Sequence, residues 1–81
     1  MDLKDYRKKA KELGGNIRVK TWKDPFKGNL YKFVGVVTPG GVNLGNGNVW
    51  GKEFMEANRK FFDLQNAMHA DADLKAAGYA V

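Results

Sequence analysis

The segment Thr38-Pro39-Gly40-Gly41-Val42-Asn43-Leu44, TPGGVNL, follows an apolar, β-prone run over residues 30–38. Proline sets the φ of a first turn corner, and glycine accepts the positive φ that the next corner of a type II turn needs, so residues 38–41 read as a tight reversal. Residues 42–44 can then pair back along the preceding run before Gly45 and Gly47 end the pairing. With that short strand the sheet is a three-stranded antiparallel meander. Without it only a hairpin remains.

Upstream, Ile17, Val19 and Thr21 alternate with Arg18, Lys20 and Trp22, the period of a strand with one apolar and one basic face. The connection over residues 23–29 holds Pro25 and Gly28 and is longer than a minimal hairpin turn. Before it, Leu3, Tyr6, Ala10 and Leu13 recur at helical spacing, with Asp2 as a candidate N-cap and Gly14-Gly15 as a stop. Lys4, Lys8 and Lys11 line another side of that helix, as either a positive ridge for a ligand or an ordinary solvated face.

Downstream, Phe54, Ala57, Phe61, Leu64 and Met68 predict a strongly amphipathic helix starting at Lys52. Asp71 and Gly78 suit the cap and stop of a short final helix, although one continuous helix over residues 52–77 is also compatible with the pattern. These elements predict one α+β domain over residues 1–81, ordered αβββα, or αββα if the third strand is too short. Its helices pack against one face of a three-stranded antiparallel sheet.

Composition narrows the functional classes. The chain has 81 residues, a net charge of +5 and no cysteine, so neither a disulfide framework nor a thiolate zinc site is available to it. Residues 1–35 hold ten Lys/Arg against four Asp/Glu, whereas residues 36–81 hold four against five. A basic first half suits nucleic acid, an anionic surface or an acidic protein. The first fifteen residues lack the apolar core of a signal peptide, and no apolar run approaches the roughly 20 residues of a membrane span. A cytoplasmic protein that does not enter a membrane is expected.

The glycine-rich stretch over residues 40–52, GGVNLGNGNVWGK, approaches two phosphate-binding motifs and satisfies neither. A Walker A loop requires glycine where Asn46 stands and a hydroxyl where Glu53 stands; a dinucleotide loop requires glycine where Trp50 stands. A helix entrance can still present free N–H groups to a phosphate beside Lys52, or Asn48 can simply cap the helix. His69 is the sole histidine, and Asp71 and Asp73 suit helix capping better than acid-base chemistry. No catalytic residue, metal or cofactor is assigned, and an enzyme is not expected.

Basic residues interleave with aromatic ones at Arg18, Lys20 and Trp22 and again at Tyr31, Lys32 and Phe33. Cations neutralise phosphate, and an exposed ring stacks on an unpaired base for about 1–3 kcal/mol. Alternation places Lys32 opposite to Tyr31 and Phe33, which predicts Lys32 on the wet face with Arg18 and Lys20 and Phe33 in the core; Trp22 fits either place. The order helix, three strands, helix, together with Leu44-Gly45-Asn46-Gly47 before a Lys-bearing helix, resembles the double-stranded RNA-binding domain over most of residues 3–68. The likeness is one of architecture, since Lys52-Glu53 replaces consecutive basic residues and bulky Phe54, Phe61 and Phe62 replace small ones; it transfers no RNA activity.

The expected function is that of a small, basic, non-enzymatic nucleic-acid-binding accessory protein contacting mainly the DNA or RNA backbone. Arg18, Lys20, Trp22, Lys32 and Lys52 are the candidate contacts, with Lys4, Lys8 and Lys11 as a secondary patch. The rival is a protein-binding regulator or inhibitor that offers this surface to an acidic partner, or Met55 and Phe62 to a second copy of itself.

Overall fold

Strands β1 (Asn16–Lys23) and β2 (Leu30–Val37) pair antiparallel along their whole length, with Ile17 opposite Val36 and Trp22 opposite Tyr31. The computed structural model describes residues 1–45 and 49–80. Directly opposed residues share a sheet face, so Ile17, Val19, Val34 and Val36 stand together on one side. Ile17, Val34 and Val36 are buried there beneath two helices. The opposite side carries Arg18, Lys20, Trp22, Tyr31 and Phe33.

Helix α1 (Leu3–Glu12) starts where the carboxylate of Asp2 accepts from Asp5 N at 3.0 Å, while Asp5 reciprocates on the backbone of Asp2. Two of the N–H groups that a helix leaves unpaired are thereby satisfied. Tyr6 and Ala10 enter the core, and Arg7 Nη1 donates to the Ile17 carbonyl at 3.1 Å, which fastens α1 to β1.

Residues 42–44 do not form the predicted third antiparallel strand. Their pairing with β2 is reduced to one bridge between Val37 and Asn43. Three hydrogen bonds, one of them from a distant helix, account for the shortfall. Leu44 N donates to the Val36 carbonyl at 2.8 Å, but Val36 N donates to the side-chain Oε1 of Gln65 at 2.6 Å, so half of the strand pair is taken over by a helix. Asn43 Oδ1 accepts from Gly45 N at 2.8 Å, a side-chain turn that bends the chain across Gly35. A Cβ on Gly35 would collide with the Asn43 side chain, so the approach requires glycine. The reversal itself closes with Gly41 N on the Thr38 carbonyl at 2.9 Å, and the positive φ falls on Gly41 rather than on Gly40.

Farther along the same edge of β2, the two-residue strand β3 (Tyr79–Ala80) pairs in parallel with Lys32 and Phe33. The antiparallel sheet is therefore two-stranded, and the strand added to it is parallel and comes from the far end of the chain. Neither αβββα nor αββα describes this order, and the likeness to a double-stranded RNA-binding domain loses the three strands on which it rested.

The helix predicted from Lys52 is broken into α2 (Lys52–Ala57) and α3 (Arg59–His69). Asn58 sits between them at φ −115° and ψ 26°, with its side-chain Nδ2 donating to the Phe54 carbonyl at 3.0 Å. An asparagine side chain that competes for a helix carbonyl offers the backbone a way out of the helix. Helix α3 supplies Phe61, Leu64 and Met68 to the core, and α4 (Ala72–Ala76) supplies Leu74. Asp71 caps α4 by accepting from Asp73 N at 2.9 Å. The Tyr6 hydroxyl donates to the same carboxylate, which joins the two ends of the chain. Burial, followed by the hydrogen bond to Asp71, pushes the Tyr6 phenol up to about 12, and the Tyr6 hydrogen bond holds Asp71 below the usual carboxylate range. Among the described residues no helix is long and apolar enough to cross a membrane.

Candidate nucleic-acid interface

The helices cover only the Ile17 and Val36 end of the hairpin. Over residues 20–33 both faces are exposed, with only Asp24 and Tyr31 half-buried. Beyond the place where β3 joins at Lys32 and Phe33, this distal half is a two-stranded arm on a molecule measuring 39 × 26 × 19 Å. Its tip is held by its own hydrogen bonds: Asp24 N donates to the Asn29 carbonyl, Gly28 N to the Asp24 carbonyl and Phe26 N to Asp24 Oδ1, each at 2.8 Å. The Phe26 ring takes no part in that network and is 96% exposed.

The strand register assembles an aromatic row on the open face. Trp22 and Tyr31 oppose one another with centroids 5.7 Å apart and planes at 25°, and Tyr31 and Phe33 follow at 6.2 Å and 24°. The outer rings are the bare ones: Trp22 is 51% and Phe33 43% exposed, whereas Tyr31 between them is half-buried. Lys20 stands directly across from Phe33, and Arg18 lies one face-position farther along, opposite Gly35.

The hairpin is also the most basic part of the chain. Arg18, Lys20, Lys23, Lys27 and Lys32 are all exposed, against the single acid Asp24. Among the described residues none of these cations is in a salt bridge. Unpaired exposed cations on a projecting element concentrate positive potential where a polyanion can reach it.

Arg18, Lys20 and Trp22 are brought together on one face. Lys32 is not with them: it faces the other side, with Nζ 5.9 Å from the centre of the Tyr79 ring, and Phe33, expected in the core, stands exposed beside Lys20 in the place expected of Lys32. The reason is register. Setting the β-branched residues Ile17 and Val19 opposite Val36 and Val34 forces Trp22 onto Tyr31 and Lys20 onto Phe33. That cross-strand matching was the sequence signal for the row, and alternation within each strand alone could not supply it.

The remaining candidates lie on other elements. Lys52 opens α2, whose N-cap is Gly51 and has no side-chain cap. The predicted Asn48 cap lies outside the described residues. Lys52 borders a groove of about 470 Å³ with Trp50, Met55, Arg59 and Phe62, where Glu56 and Asp63 offset the cations. Trp50 stacks on Phe54 at 4.9 Å, and both rings meet Phe62, so much of this aromatic surface is spent on itself. Lys4, Lys8 and Lys11 are exposed on the side of α1 turned away from Tyr6 and Ala10. His69 contacts Gln65, and the described residues contain no cluster of three metal-ligating side chains.

Comparison with known protein families, with curated proteins and with solved structures gives no match to this chain.

Proposed function

We propose that this protein is a non-enzymatic nucleic-acid-binding accessory protein that grips the phosphate backbone with its hairpin arm. One observation carries the proposal: five exposed cations, unpaired among the described residues, stand on a projecting hairpin with a single acid. Arg18 and Lys20 make the central phosphate contacts on the open face, and Lys23, Lys27 and Lys32 extend the field around the arm. Each phosphate neutralised releases condensed counterions, so the logarithm of affinity falls with the logarithm of salt by about 0.7–0.9 per contact. Lys52 and the Lys4, Lys8 and Lys11 ridge act at most as secondary contacts, because they sit on separate elements.

The test is a titration of labelled single- and double-stranded DNA and RNA at several salt concentrations, repeated with Arg18→Glu combined with Lys20→Glu. The double variant should weaken binding strongly and lower the salt slope by about 1.4–1.8. Absence of binding to every nucleic acid at low salt would overturn the proposal and favour the rival, an acidic protein partner on the same surface. An unchanged slope in the double variant would move the phosphate contacts off this face.

A further inference from the structure

We infer that the open face of the arm is a stacking site for unpaired bases, so that the nucleic acid bound is single-stranded. This rests on the phosphate-binding reading and adds to it the chemistry of the rings. Phosphate binding needs only cations. It gives no reason for three aromatic side chains to form a row on a solvent-facing sheet surface.

The row has the attributes that stacking on a base requires. Its planes are within 25° of parallel from ring to ring, and its two end rings, Trp22 and Phe33, are the exposed ones. A base placed against either end meets an aromatic surface already oriented by its neighbour. Lys20 and Arg18 flank the Phe33 end on the same face, within the reach of the sugar-phosphate chain that joins successive bases. The Gly35 end of the face is closed by the loop at Asn43 and Gly45, so the site is a bay bounded on one side and open toward the arm tip.

The occupant follows from these two properties together. In a duplex the base faces are buried against one another, and a protein meets only their edges and the phosphates. A single strand offers both a free aromatic face and a phosphate for each nucleotide, which matches rings and cations interleaved on one surface. An apolar protein partner would use the rings but gain nothing from the surrounding positive charge. Because every base has a π-face, the site should tolerate any sequence.

The experiment uses the full chain with homopolymeric single-stranded DNA and a duplex of equal length at one low salt concentration, comparing the native protein with Trp22→Ala and Phe33→Ala. The single strand should bind more tightly than the duplex. Each alanine variant should weaken single-strand binding roughly five- to hundredfold while changing duplex binding no more than about twofold. Trp22→Phe keeps a ring in place and should restore most of the lost affinity. Quenching of tryptophan emission by the single strand should largely disappear in Trp22→Ala, because Trp50 lies against Phe54 on another element. Equal affinity for duplex and single strand, with both alanine variants silent, overturns the stacking inference and leaves the phosphate contacts standing. Failure of the native protein to bind any nucleic acid overturns both.

Discussion

Near Ile17 and Val36 the hairpin lies beneath α1 and α3, and Ile17, Val34 and Val36 are at most 3% exposed there. Near Trp22 and Leu30 the same two strands and the loop that joins them also carry large apolar residues, yet Trp22 is 51%, Leu30 60% and Phe26 96% exposed. Both ends carry large apolar side chains, although the distal end also holds four of the hairpin's five cations. They differ in whether a helix is there to cover them. Burial at one end stabilises the fold, at about 25 cal/mol per Å² of apolar surface removed from water, whereas the rings at the other end contribute little of this kind. Stability and recognition are thus placed at opposite ends of one hairpin, and substitutions should be able to damage either without the other.

The largest expected effect lies in the body. Met68 is 0% exposed, and Met68→Ala should lower unfolding free energy by about 2–5 kcal/mol, read from the urea midpoint. For a domain of this size that is a large fraction of the total. A loss below about 1 kcal/mol would mean that the core relaxes easily around the gap, and the contrast between the two ends would shrink.

A middle effect tests why the sheet stops growing. Gln65 is 5% exposed and its Oε1 takes the Val36 N–H that a third strand would otherwise use. Gln65→Leu keeps the volume and removes the acceptor, so it should cost roughly 1–3 kcal/mol, with faster hydrogen exchange at the Val36 amide. If stability and protection are both retained, Leu44 has completed its pair with Val36 and residues 42–44 can serve as a strand once the competitor is gone.

That competition also marks how far the sequence could be read. The first helix with its Asp2 cap, the two long strands and the Asp71 cap are local features, and local patterns disclose them. The third strand depended on residue 65, more than twenty positions away from residues 42–44, through a side chain whose glutamine identity announces no such role. The helix break at Asn58 left a weak mark, because the apolar spacing runs through it undisturbed and only the asparagine side chain diverts the backbone. Of the candidate site, Arg18, Lys20 and Trp22 were legible from one strand's alternation. Tyr31 and Phe33 were not, since their side of the sheet is fixed by pairing between strands.

The smallest effect on stability belongs at the arm tip, and it is the sharpest test of the division. The loop is held by Asp24, Gly28, Asn29 and the Phe26 backbone, with no contribution from the Phe26 ring. Phe26→Ser keeps every one of those bonds, so the urea midpoint should move by no more than about 0.5 kcal/mol equivalent. A larger loss that shrinks as the protein is diluted would mean that the ring is buried in a second copy of the chain. The arm would then be an assembly element, and its bareness a property of the isolated chain alone. A silent substitution at every concentration leaves the ring with no part in folding. The arm's apolar residues then have to be explained by what the arm meets, as the row at Trp22 and Phe33 already is.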